Sequence, residues 1–413
     1  MFARTGKAAC PTISTMKDQL AFDEDYAIGQ LLRFLAVQGI TGQEEAIGQE
    51  VVKELLEIGV ARHHMHFDSA HKQIPLPTQT GNLIVRLPGT REGPWRLFMT
   101  HLDTVPLCAG AVPVRKGKRI VPAGKTALGG DNRTGVACLV IMIATLLKDN
   151  LPHPPLTILF TVREESGLWG ARFVDPDQLG QPALGFNIDG RSPRDFTIGA
   201  VGAERWQVEI FGRAAHAGVH PEQGISATVV ASLALAEAYR KGWFGKIVKA
   251  GKEGTANVGS IGDEQGKSAG EATNVVTDYA LIKGEARSHD ARFVRDIAKA
   301  YQQAFRHAAG QVKNHLGRHA KVRFQSRRDY HPFRLKETSP VVRLGQAAAE
   351  RAGWQANLRI TNGGLDANWL VRHGIPTITF GAGQNEVHTV DEYVEISEFL
   401  LGCRLALALA TQE

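Results

Sequence analysis

At 413 residues the chain is too long for one ordinary domain and suits two, each able to bury its own core. A hydrophobic share of 43% against 22% charged residues excludes a disordered or fibrous protein. The net charge of +6 could suit nucleic acid, but Lys and Arg are scattered among Asp and Glu, and the densest basic segment, Arg306 to Arg328, has few interleaved aromatics.

That segment reads as a solvated face, so no nucleic-acid partner is expected. Cys10, Cys108, Cys138 and Cys403 form no CxxC pair and read as core residues of a reducing compartment. The first 20 residues hold no long apolar segment, and the longest apolar run, Val136 to Leu147, is too short to span a bilayer. The expectation is a cytoplasmic protein with no membrane partner.

Residues 1–20 are weakly patterned and read as a loosely docked lead-in. Helical spacing follows from Tyr26 to Val37 and from Glu44 to Ile58, with Thr41 to Glu44 in the form of a capping box. His63, His64, His66 and His71 lack a carboxylate at ligand spacing, and the alternation of His64 and His66 predicts a surface strand.

Strands are expected at Asn82 to Leu87 and from Trp95 to Met99, the latter running into His101-Leu102-Asp103. Strand period two puts His101 and Asp103 on one face, a ligand beside its orienting carboxylate. Gly129 and Gly130 permit a sharp path into Asp131, at the head of the helix Val136 to Leu147. The strand Thr157 to Val162 exits into Arg163-Glu164-Glu165, and Leu184 to Ile188 exits into Asp189.

After Gly202 the order β-α-β-β-α-β, from Trp206 to Gln325, is that of a split βαβ sandwich inserted into the larger domain. From Ser339 the α/β alternation resumes, and His388 follows the strand Thr377 to Phe380 and the turn Gly381-Ala382-Gly383. The expected organisation is a catalytic domain in two parts, 21–200 and 328–413, with an insert at 201–327. Hinges are expected near Gly199 to Gly202 and Ser326 to Pro332, allowing the insert to close as a lid.

Open α/β sheets place their chemistry beyond strand ends, which gathers His101, Asp131, Glu164, Glu165, Asp189 and His388. Two imidazoles with carboxylates suit zinc better than calcium or magnesium. With Asp131 bridging, one cation takes His101 and Asp189 and the other takes Glu165 and His388. Three ligand carboxylates and one ionised water balance two Zn²⁺, and metal binding lowers the pKa of that water from about 15.7 towards roughly 7. Glu164 is left to shuttle the proton, and Asp103 to fix the His101 ring.

The motifs HLDTV, GGDNRTG, EESG, IDG, GRAAHAG and HTVDEY resemble, in order and spacing, the M20 family of di-zinc metallopeptidases and deacylases, over nearly the whole chain after residue 25. The resemblance implies an α/β, mixed-sheet catalytic domain binding two Zn²⁺ per subunit, with Co²⁺ or Mn²⁺ as substitutes, and an inserted ferredoxin-like lid that also forms a homodimer. It implies Glu164 as base, Asp131 as bridge, and His216 of the lid polarising the scissile carbonyl of a short peptide.

Arg287 in GEARS stands where members bind the substrate carboxylate, Asn274 in ATNVV matches another substrate-facing position, and Gly363 and Gly364 in NGGLDAN look like the Gly-rich loop beside the substrate. Asp189 stands where the aminopeptidase branch, such as peptidase T, carries Asp, although Asn132 replaces the second Asp of that branch's GADD motif. Cleavage of di- and tripeptides is therefore expected. The alternatives are an N-acyl-amino-acid deacylase or carboxypeptidase on the same scaffold, and a non-catalytic peptide-binding relative.

Overall fold

The computed structural model describes residues 20–413 other than Glu264, Lys267, Ser268 and Glu271; the expectations for residues 1–19, Cys10 included, lie outside the described residues. Helix α1 (Glu24–Ala36) starts where the Asp23 carboxylate accepts the Tyr26 N–H, and buries Ala27, Leu31, Phe34 and Leu35 along one stripe. Helix α2 (Glu45–Glu57) packs its own stripe, Ile47, Val51, Val52 and Leu55, into the same core.

The capping box expected at Thr41 to Glu44 does not form. The Thr41 hydroxyl meets Ser166, and the buried Glu44 carboxylate accepts the N–H groups of Gly42 and Arg163, so tertiary partners displaced the local cap. The expected histidine strand is also corrected. Residues Arg62–His64 form a 3-10 turn, and β1 (Met65–Phe67) is limited to three residues paired with β2 (Leu83–Leu87).

Strands β3 (Arg96–His101), β4 (Pro113–Lys116) and β5 (Arg119–Pro122) lead to helix α3 (Gly130–Lys148), then β6 (Leu156–Thr161), the short α4 (Trp169–Phe173), β7 (Leu184–Ile188) and β8 (Asp195–Ala200). Helix α3 is longer than the apolar run expected there and would by length and composition cross a membrane, but 83% of its apolar window is buried inside the protein. It lies between α1 and the sheet.

The chain divides into two compact units, one holding the chain to Gly199, Arg334–Ile360 and Leu365–Glu413, the other Ala200–Phe333 and Thr361–Gly364. The second unit contains β9 (Gly202–Phe211), α5 (Ala227–Arg240), β10 (Gly245–Lys249), β11 (Lys252–Gly262), β12 (Tyr279–Ser288), α6 (Ala291–Gln311) and β13 (Lys321–Tyr330). Its sheet runs β10-β11-β12-β9-β13, every pairing antiparallel, and Trp206, Val208, Ile210, Ile282 and Ala286 join the helices in one core. Strand β10 was not expected, because its sequence, GKIVK, has one inward apolar position. Strand β13 runs to Tyr330, past the expected end.

The first unit resumes with β14 (Phe333–Arg334), α7 (Pro340–Ala352), β15 (Asn357–Thr361), α8 (Ala367–Arg372), β16 (Thr377–Phe380), β17 (Gln384–Asn385), β18 (Tyr393–Glu395) and α9 (Ile396–Thr411). Among the described residues its large sheet has the order β1-β2-β6-β3-β7-β16-β8-β14, with β15 on β8, and a smaller sheet has the order β17-β18-β5-β4. The large sheet is mixed: β6, β3, β7 and β16 are parallel, and the flanking pairings β2–β6 and β16–β8 antiparallel.

Every residue of β3, β6, β7 and β16 is buried, as expected of strands covered on both faces. Phe98, Phe160, Phe186 and Phe380 each stabilise this core by roughly 1.5–3 kcal/mol. Because the four central strands run the same way, their carboxyl ends fall on one edge, His101 beside Thr161 and Ile188 beside Phe380.

Candidate active site

The edge formed by those strand ends collects five side chains from distant parts of the sequence. His101 ends β3, Glu165 lies just past β6, Asp189 follows β7, and His388 lies on the segment after β16. Asp131 enters through Gly129, whose left-handed φ of +83° no residue with a Cβ adopts readily, and the Asp131–Asn132 peptide bond is cis. His388 also has a positive φ, +64°.

Asp131 divides its carboxylate between the two imidazoles. Its Oδ1 lies 3.1 Å from His101 Nε2, and its Oδ2 lies 3.3 Å from His388 Nε2. Asp189 Oδ1 stands 3.9 Å from the same nitrogen of His101, while Glu165 Oε1 lies 2.8 Å from that of His388. His101, Asp131 and Glu165 offer ligand atoms all within 4.8 Å of one another. The structure thus brings together all five residues expected to hold metal.

The charge of the cluster suits it to cations. Burial, then the charge of Asp131, pushes Glu165 up to about 7 and Asp189 up to about 6. Burial, with Asp189, Asp366 and Glu165 nearby, raises Glu164 well above the carboxylate range. Burial disfavours protonated His101, yet Asp103 and Asp131 outweigh it and hold the imidazole well above its usual value. Hydrogen bonds to Asp131 and Glu165 push His388 up to about 10. A site that retains protons this firmly is built for positive charge, and a donor set of imidazole and carboxylate fits borderline divalent metals.

Comparison with known proteins agrees. Residues 97–412 match peptidase family M20/M25/M40. The chain belongs to this family. Metal-dependent hydrolysis of peptides, expected from the motifs, is the activity that this membership carries.

An uncharacterized protein, YqjE, of Bacillus subtilis (strain 168) is 32% identical over 330 residues, covering 80% of this chain and 84% of that protein. The crystal structure of aminopeptidase PepT from Bacillus cereus ATCC 10987 superposes with a TM-score of 0.80 at 30% identity, over 94% of this chain and 98% of that one. A tripeptidase from Staphylococcus aureus subsp. aureus mu50 gives a TM-score of 0.84 at 26% identity, with the same coverage of 94% and 98%.

Around this cluster the chain supplies residues that motif spacing did not single out. Glu392, 1% exposed, accepts the N–H groups of Leu128, Gly129 and Asp131 and so fixes the turn that delivers Asp131. Gln384 donates to Asp189 Oδ1 at 3.3 Å. Asp366, buried beside Thr161, is pushed up to about 7 by its burial. Glu392 lies within HTVDEY and Asp366 within NGGLDAN, so both were in view, but their partners lie far away in sequence.

Asp103 lies beside the His101 ring and has further partners. The His101 Nδ1 contact of 2.9 Å is to the backbone carbonyl of Asp103, with the carboxylate at 3.5 Å. The carboxylate also accepts the N–H groups of Glu164 and Glu165, at 2.9 and 3.1 Å. The physical reason is proximity: the turn after β6 presents two unpaired N–H groups to it.

The remaining expected residues belong to the second unit. His216 is exposed, and its Nδ1 accepts the N–H groups of Gly218 and Val219, both at 3.2 Å. Its strand neighbour is Val275, and Asn274 accepts the Ala217 N–H through its carbonyl, so His216 and Asn274 share one loop pair. The guanidinium of Arg287 is gripped by both oxygens of Glu285, at 2.9 and 3.1 Å. Gly364 sits so close to the Tyr330 ring that a Cβ would lie 2.4 Å from it, while Gly363 has no such constraint.

Proposed function

We propose that the chain is an aminopeptidase that releases the N-terminal residue of di- and tripeptides, using two divalent cations, zinc foremost, with Co²⁺ or Mn²⁺ able to replace it. The observation that carries this reading is the division of the Asp131 carboxylate between His101 and His388. On this reading His101, Asp189 and one oxygen of Asp131 hold one cation, and Glu165, His388 and the other oxygen hold its neighbour. When bound, the pair supplies Lewis acidity and lowers the pKa of water.

Glu164 moves the proton. Its half-buried carboxyl is held at the site by the grip of Asp103 on its backbone N–H, and a carboxylate placed there can carry the proton from water to the leaving amine. His216 polarises the scissile carbonyl. Because its Nδ1 accepts two N–H groups, the neutral ring carries its proton on Nε2, ready to donate to an oxygen.

Arg287 would exchange its Glu285 partner for the substrate carboxylate, with Asn274 and the Gly363-Gly364 loop beside it. The second unit would act as a lid and as the contact of a homodimer, for which Val229, Tyr239, Phe244 and Val248 on and after α5 offer exposed apolar surface. The unbridged, buried thiols of Cys108, Cys138 and Cys403 support a cytoplasmic setting.

The test is digestion of free-amino and N-acetylated tripeptides by the metal-loaded protein, followed by mass spectrometry. Loss of one N-terminal residue from the free peptides is expected. Cleavage confined to the blocked peptides would replace the aminopeptidase with a deacylase.

A further inference from the structure

The sheet of the second unit carries its helices on the face of Trp206, Val208 and Ile210, and the alternate side chains project from the other face. Arg287 belongs to that other face. Pairing across β12, β9 and β13 sets Glu285 beside Arg205 and Arg327 in one row. The next row is Lys283, Gln207 and Gln325, and the one after it contains Glu209 and Arg323.

Charge on this face is unbalanced. Glu285 answers Arg287, Glu209 answers Arg323 at 3.2 Å, and Asp329 pairs with both Arg205 and Arg327. Lys283 is exposed and has no ion-pair partner among the described residues. The side chains of Arg205 and Arg327 remain 49% and 53% exposed. Beside these rows lies a cavity of about 900 Å³, bounded by Arg205, Gln207, Lys283, Gln325 and Arg327 and by the aromatic Trp206 and Phe324, within the size range of sites that hold small ligands.

We propose that this face recognises a second carboxylate on the substrate, so that the chain prefers short peptides carrying Asp or Glu at or beside their C-terminus. The proposal rests on the aminopeptidase reading, in which Arg287 meets the peptide's carboxylate, and it adds the cations one and two rows further along the same face. Among the short peptides of the proposed reaction, charge complementarity favours an acidic one over a neutral or basic one. Because Trp206 and Phe324 also border the cavity, single-stranded DNA is the competing occupant that the experiment must exclude.

The experiment compares Ala-Ala-Glu with Ala-Ala-Gln, each with a free and an amidated C-terminus, on the full-length metal-loaded protein. We expect kcat/KM to favour the glutamate peptide about tenfold at low salt, the range of two exposed charge contacts. The ratio should shrink in about 0.3 M salt. It should fall close to one in the Lys283→Gln/Arg327→Gln double variant, and persist in Lys283→Arg.

The amidated pair separates the side-chain carboxylate from the terminal one, since only the side chain distinguishes its members. Equal kcat/KM for both peptides in the wild type, or a ratio that survives the double variant, would overturn the proposal. Binding of fluorescently labelled versions of the peptides reads the face without turnover. If neither peptide is hydrolysed the aminopeptidase reading fails, while the binding ratio still decides this one. Capture of single-stranded DNA more tightly than the glutamate peptide, lost in the double variant, would assign the face to nucleic acid and also overturn it.

Discussion

Glu392 accepts the backbone N–H of Asp131 at 3.0 Å, and through Leu128 and Gly129 it holds the whole turn that presents that carboxylate. Removing it leaves three N–H groups unanswered in a buried place. The Glu392→Ala variant should lose about 10- to 100-fold in metal affinity and on the order of 1–3 kcal/mol in stability. Competition with a zinc-sensitive dye and thermal unfolding would measure the two effects; unchanged affinity would show that the turn holds itself.

The acid–base balance of the site gives a sign that metal reverses. In the metal-free protein Glu165, Asp189, His101 and His388 all bind protons more tightly than in the unfolded chain. The folded state therefore holds more protons, and stability falls as pH rises from about 5 through the values of about 6 and about 7 for the two carboxyls. Asp131 has the opposite shift, but its window lies below its ordinary value of 3.8. Unfolding of chelator-stripped protein should thus show a higher Tm at pH 5 than at pH 7.5. Metal must displace those protons, so its affinity should weaken as pH falls through the same range.

On the proposed reading Glu164 moves protons and contributes no ligand. Glu164→Gln should keep its metal content and lose about 10²- to 10⁴-fold in kcat. Elemental analysis beside tripeptide kinetics checks both halves. A variant as fast as the wild type would take Glu164 out of the reaction.

Arg163 precedes Glu164 and Glu165 with a left-handed φ of +53°, and its guanidinium reaches the Pro77 carbonyl, the Thr78 hydroxyl and Ser166. Those contacts fix the turn of Glu164 and Glu165. Arg163→Met should cost on the order of 1–3 kcal/mol and reduce kcat more than it changes KM. Chemical denaturation and steady-state kinetics would show it.

The strand-exit residues were legible because two simple regularities, strand period and the placement of sites beyond parallel strand ends, act on short stretches of sequence. His101, Glu165, Asp189 and His388 each declare themselves within a few residues of a strand. What escaped depends on partners far along the chain. Glu44 left its local cap for Arg163, Glu392 serves a turn more than two hundred residues earlier, and the Asp103 carboxylate also holds two N–H groups after β6. The histidine turn at Arg62–His64 was misread because alternation over three residues does not separate a strand from a 3-10 turn.

Titration of the chelator-stripped protein with zinc, followed by elemental analysis after gel filtration, tests the central claim most directly. Two ions retained per chain, with Asp131→Asn unable to keep both, is the predicted result. Retention of no more than one ion by the wild type, or of two by Asp131→Asn with undiminished affinity, would contradict a pair of cations joined by Asp131.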